Sequence, residues 1–139
     1  MPTARDLMER NALTIPATMR FTEVVRLLVV TGIHGAPVVD EHGAILGVIS
    51  AMDLLRATDQ TFDDERDEGE GADPVAQLLD ATALELATPE PTWVTPETPA
   101  ADVARLMREG GTHRVLVGRD GQLEGIVTSF DLLRAVPRE

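Results

Sequence analysis

Gly47-Val-Ile-Ser-Ala-Met-Asp53-Leu-Leu-Arg56 returns late in the chain as Gly125-Ile-Val-Thr-Ser-Phe-Asp131-Leu-Leu-Arg134. Each copy has a glycine, two small apolar residues, a hydroxyl residue, an aspartate three places on, and then Leu-Leu-Arg. A repeat of this kind means two versions of one unit, so any site is expected twice.

Working outward, the surroundings of the two stretches also correspond. In the first unit, Ala4 to Met8 reads as a short helical turn, and Leu13-Thr-Ile15 as a short strand stopped by Pro16. A helix is expected from Arg20 to Thr31, with Val24, Leu27, Leu28 and Thr31 on its buried face. Gly32 closes it as a C-cap glycine would. Ala36 to Asp40 and Ala44 to Ile49 form a hairpin turning at Glu41-His42-Gly43, and Ser50 caps a helix through Leu54 and Leu55. The returning strand is almost continuously apolar, which predicts burial on both faces.

The second unit repeats the order. Ala83 to Ala87, Trp93-Val94, the helix carrying Val103, Leu106, Met107 and Gly110, and the strands Arg114 to Val117 and Leu123 to Val127 match in turn. The offset is 79 before the hairpin and 78 after it, so the second turn, at Asp120-Gly121, has lost one residue. The boundaries are 1–57 for the first repeat, 58–80 for a linker, and 81–139 for the second repeat. The linker opens on an acidic run from Asp59 to Asp73, opposed only by Arg66 and read as mobile and solvated. It closes on a short helix led by Pro74. The run lacks the Asp-x-Asp-x-Asp-Gly order of an EF-hand, so no metal site is assigned to it.

Bulk properties bound the function. The 139 residues suit one compact domain or two half-domains sharing a core. A net charge of −12, more than half of it in the acidic run, argues against nucleic acid and anionic membrane as partners. There is no cysteine, so neither a disulfide nor a thiolate metal site is available. No apolar run is long enough for a bilayer span and no basic-then-apolar leader opens the chain, so a cytoplasmic place is expected. Cysteine, tyrosine and lysine are all absent, and no Gly-x-Ser-x-Gly elbow, Gly-x-Gly-x-x-Gly loop or Walker loop occurs. No enzyme activity is therefore expected, and the two repeats account for the chain.

With these residues in place, both units resemble the cystathionine β-synthase (CBS) domain. The resemblance is carried by Gly32-Ile-His-Gly-Ala-Pro-Val-Val-Asp40, by Gly43 through Asp53, and by Gly121 through Asp131. It implies an α+β (mixed α/β) fold, with tandem units of βαββα type packed through their sheets. It also implies regulatory binding of adenosine-type ligands (AMP, ADP, ATP or S-adenosylmethionine) in clefts between the repeats, and association into a homodimer.

The candidate ligand residues follow from that resemblance. Asp53 and Asp131 would accept the ribose hydroxyls, with Ser50 and Thr128 beside them. Ile15, Pro16, Ala36 and Pro37 would line one adenine slot, and Val94, Thr95, Val115 and Leu116 the other. His34, His113 and Arg114 are the candidate phosphate partners, Arg114 the better one because its guanidinium is always charged and forks onto phosphate. Gly35 stands at Arg114's position in the first unit, leaving room but no charge. Read without the resemblance, Ser50-x-x-Asp53 and Thr128-x-x-Asp131 are capping boxes, and the slot residues are ordinary core. An acidic protein favours a mono- or diphosphate, or a triphosphate carrying Mg²⁺. No obligatory cofactor is expected, and the regulated partner protein is not specified by the sequence. The competing expectation is a structural dimerisation module with degenerate sites.

Overall fold

The computed structural model describes residues 1–10, 13–66 and 73–136. The first unit contains α1 (Ala4–Leu7), β1 (Ile15–Pro16), α2 (Phe21–Thr31), β2 (Gly35–Val39), β3 (Ile45–Ser50) and α3 (Ala51–Arg66). After α4 (Pro74–Asp80), the second unit contains α5 (Ala83–Leu86), β4 (Thr88–Pro89), β5 (Trp93–Val94), α6 (Ala100–Gly110), β6 (Arg114–Arg119), β7 (Gln122–Thr128) and α7 (Ser129–Arg134). The expected helix–strand–helix–strand–strand–helix order holds in both, with β4 added. Among the described residues, seven helices and two sheets make the mixed α/β tandem pair that the resemblance implies.

Local chemistry explains most boundaries. Gly32 and Gly111 end α2 and α6 in the left-handed conformation, at φ of 72° and 64°. Asp120 and Gly121, at φ of 52° and 77°, make the tight turn between β6 and β7. Pro16 does not stop β1; it belongs to it, paired with Val39. The strand tolerates proline because it lies at the sheet edge. The buried face of α2 is narrower than its spacing predicts. Val24 and Leu28 are buried, whereas Thr31 is exposed and turns its hydroxyl back to the Leu27 carbonyl. In α6 Val103 and Met107 are buried and Leu106 is 39% exposed. The largest departure is α3, which runs on through the first part of the acidic segment to Arg66. No glycine or proline interrupts that stretch. Gln60 also donates to Asp64 one turn on, at 3.0 Å. The segment 67–72, expected to be mobile, lies outside the described residues.

The strands form two sheets. One has the order β1-β2-β3-β4 and the other β5-β6-β7. Each has an apolar cluster between its sheet and helices, one around Ile15, Val24, Ala36 and Ile49, the other around Val94, Val103, Val115 and Val127. Val48, Leu116 and Ile126 form a third cluster where the sheets meet.

The leading segment of each unit is exchanged. β4, which follows the second unit's first helix, pairs with β3 of the first unit, Gly47 opposite Pro89 and Val48 opposite Thr88. Reciprocally, Glu9, just after α1, exchanges hydrogen bonds with Ile126 of β7, at 2.8 and 3.2 Å. The helices follow suit. Ala4 is buried in the second unit's core and donates its amide to Thr98, while Ala83 is buried in the first unit's core and donates to Met19. The exchange explains the glycine that opens each repeated motif. A Cβ on Gly47 would lie 2.6 Å from the Thr88 carbonyl oxygen. One on Gly125 would lie 2.7 Å from Met8 Sδ and 2.8 Å from the Glu9 carbonyl oxygen.

Candidate functional site

The strand-to-helix junctions place the two aspartates alike. At β3–α3, Asp53 Oδ2 accepts from the Ser50 amide at 2.7 Å and from the Ser50 hydroxyl at 3.1 Å. At β7–α7, Asp131 Oδ2 accepts from the Thr128 amide at 2.8 Å and its hydroxyl at 3.2 Å. The carboxylate half of each expected capping box is thus formed. At α7 the other half is formed as well, the Asp131 amide donating to the Thr128 side chain, and each hydroxyl also donates to its carboxylate.

What faces the other carboxylate oxygen separates the clefts. Asp53 Oδ1 forms an ion pair with Arg114 Nη2 at 3.0 Å. Arg114 opens β6 in the other unit, and its side chain is 2% exposed against 8% for Asp53. Such a pair has given up most of its hydration, so removal of either partner is costly. Arg114 is therefore the internal counter-ion of Asp53 in this structure. Beside it, His113 contacts Arg56, and its carbonyl accepts from the Ser129 hydroxyl at 3.2 Å. Burial, then the charges of Arg56 and Arg114, push the His113 pKa below its ordinary value, against the pull of Asp53. The imidazole is thereby held neutral near pH 7.

Asp131 Oδ1 is bound by Arg134, one turn along the same helix. Arg134 is 63% exposed while the Asp131 side chain is fully buried. An exposed arginine on a short tether is a weakly held partner. Gly35, at the position equivalent to Arg114, leaves no room, contrary to expectation. A Cβ there would sit 3.0 Å from the Ile49 carbonyl oxygen and 3.2 Å from Thr128 Cγ2. His34 stacks on Phe130, with ring centroids 4.6 Å apart and planes at 16°, and its Nδ1 lies 3.1 Å from Glu9 Oε1.

Each cleft is therefore built across the repeats, His113 and Arg114 against Asp53, and His34 against Asp131. The residues expected to line each adenine slot lie on paired strands of one sheet, Thr95 directly after its strand. Ile15 and Ala36 are buried in the first core, Val94 and Val115 in the second, and Leu116 between the sheets. Pro37 is buried, while Pro16 and Thr95 are exposed. A groove of about 940 Å³ between α6 and α7 and a smaller one of about 330 Å³ between α2 and α3 are lined by none of these residues. The sequence reading missed Glu9, Phe130, Arg56 and Arg134. The two arginines close the repeated motif and carried that much signal; Glu9 carried none, since only the segment exchange brings it to the cleft.

A family model described as the CBS domain matches residues 4–59 and 83–138. The chain is 28% identical over 130 residues to protein MJ1225 of Methanocaldococcus jannaschii, covering 94% of this chain and 41% of that one. It is 30% identical over 135 residues to the CBS domain-containing protein CBSX1, chloroplastic, of Arabidopsis thaliana, covering 87% and 57%. The chain thus spans about half the length of these two relatives. The crystal structure of CBSX2 in complex with AMP matches with a TM-score of 0.65 and 28% identity, over 97% of this chain and 96% of that one.

Proposed function

This chain belongs to the CBS domain family as a tandem pair, and from that premise we propose that it is a regulatory module whose Asp131 cleft binds an adenosine-type ligand. The observation that carries the proposal is the contrast between the aspartates. Asp131 yields its second oxygen to an exposed arginine, whereas Asp53 is committed to a buried one. Ribose hydroxyls donating to Asp131 Oδ1 would displace Arg134, and the released guanidinium would then be free to fork onto a phosphate. AMP bound to the similar CBSX2 supports this ligand class. The overall acidity favours a mono- or diphosphate over a triphosphate without Mg²⁺.

Binding would order the junction between repeats, and a separate protein would read that change. We propose further that two copies pair through their helical faces, where Val29, Val30, Leu55, Leu133 and Val136 are all at least 60% exposed. Among the described residues no helix is long and apolar enough to cross a membrane; the proposal puts the module in the cytoplasm. The structural reading with degenerate sites is favoured for the Asp53 cleft alone, because Arg114 occupies it.

Thermal-shift and calorimetric titrations with AMP, ADP, ATP with and without Mg²⁺, and S-adenosylmethionine test the proposal. One equivalent should bind, Asp131→Ala should abolish binding, and Asp53→Ala should retain it. No response to any of these ligands at millimolar concentration overturns it.

A further inference from the structure

Glu9, His34 and Asp131 bring two carboxylates and an imidazole together, from the segment after α1, the residue before β2, and α7. One ligand atom from each lies within 4.8 Å of the other two. We propose that these three residues form a binding site for a divalent cation of the nitrogen–oxygen class, such as Zn²⁺, which ties the two repeats together.

Three observations carry it. The first is distance. Two ligands each bound at about 2.0–2.1 Å to a tetrahedral ion stand about 3.3 Å apart. His34 Nδ1 and Glu9 Oε1 already stand 3.1 Å apart, so closing the third ligand requires only a modest side-chain adjustment. The second is orientation. The His34 ring is stacked on Phe130, which fixes its plane, and Nδ1 is the atom turned to the cluster. The third is charge. The Asp131 side chain is fully buried and that of Glu9 is 16% exposed, so water screens their mutual repulsion poorly. In this structure the Arg134 guanidinium answers Asp131 and the imidazole answers Glu9. A divalent ion would neutralise both carboxylates at once and release Arg134, already 63% exposed, to solvent. One imidazole with two carboxylates suits a borderline ion, with water completing the sphere.

The site would connect Glu9 and His34 of the first unit to Asp131 of the second. It shares Asp131 with the nucleotide reading but does not rest on it, because the ion binds without nucleotide. If both hold, ion and adenosine ligand compete for Asp131, and each weakens the other by the same factor.

The test titrates the full chain with Co²⁺ and with Zn²⁺ alone, against excess Mg²⁺ to saturate the acidic segment. Co²⁺ absorption and the thermal midpoint are followed together. The expected result is one saturable equivalent with visible ligand-field bands and a raised midpoint. His34→Ala and Glu9→Gln should each weaken it at least about tenfold. Glu9→Gln conserves size and guards against a folding defect. His42→Ala, at an exposed histidine whose Nε2 lies 3.6 Å from Glu41 Oε1, should change nothing. Absence of a saturable equivalent below about 100 μM free ion, or equal loss in the His42 variant, overturns the proposal. AMP titrated into the parent chain without added divalent ion reads the nucleotide site by itself, so failure of the ion site and failure of the nucleotide site are read separately.

Discussion

Arg114→Leu should destabilise the protein by about 3 kcal/mol and open a second ligand site. The side chain removed is 2% exposed, and its loss leaves Asp53 Oδ1 without a partner in a position only 8% exposed. Breaking a buried pair from one side costs about 3–5 kcal/mol; the two Ser50 hydrogen bonds that remain on Oδ2 put this case at the lower end. The 139-residue chain unfolds with an entropy of about 0.29 kcal/mol/K. The loss therefore lowers the melting midpoint by about 10 °C. Leucine at 114 combined with Asp53→Leu should recover most of the loss, since neither charge is then left buried alone. The existing pair is also imperfect, because Arg114 Nε is buried without a hydrogen-bond partner. Urea denaturation of the two singles and the double gives the cycle, and calorimetry with AMP counts sites. Arg114→Leu should bind two equivalents where the parent binds one. A loss below about 1 kcal/mol, or a double variant as unstable as the sum of the singles, would refute the pairing argument. A full stability loss with the count unchanged would refute the claim that Arg114 is what closes the first cleft.

Gly47→Ala and Gly125→Ala should each cost about 1–3 kcal/mol in urea denaturation, because the added methyl meets backbone oxygen of the exchanged segment below 3 Å. Stability should also fall as pH drops from 7 toward 5 through His113. Its folded pKa is depressed by burial and the two arginines, so the unfolded chain binds the proton first. This contribution is fully present above the unfolded value near 6.5 and is lost as pH falls through the folded one. His113→Gln should flatten that part of a pH series of denaturation curves, and an unchanged slope would assign it to other groups.

The repeat made the element order legible, because glycine, hydroxyl and aspartate recur at positions where a strand must become a helix. Burial at Val24, Leu28, Val103 and Met107 followed from spacing alone. Thr31 and Leu106 broke the pattern because the sheet supports only part of each helix face. The acidic segment hid the length of α3, since charge argues for solvent exposure but an exposed segment can still be helical. At the site, the aspartates were legible and their partners were not. Arg114 was recognised as a cation, but its role depends on a residue in the other repeat, and Glu9 enters only through strand exchange. Gly47 and Gly125 did carry a trace of that exchange, as glycines inside otherwise apolar strands.

The exchanged leading segments make the two halves mutually dependent in assembly. A fragment ending at Arg66 holds α1, which fills the other half's core, and lacks β4 and Ala83, which complete its own sheet and core. Two such fragments from a cleaved chain are complementary, and should find each other as a reconstituted pair more readily than either folds alone. The same interlock bears on descent: deleting one repeat from the gene would strip the survivor of its borrowed helix and strand. The heritable unit of this fold is therefore the pair.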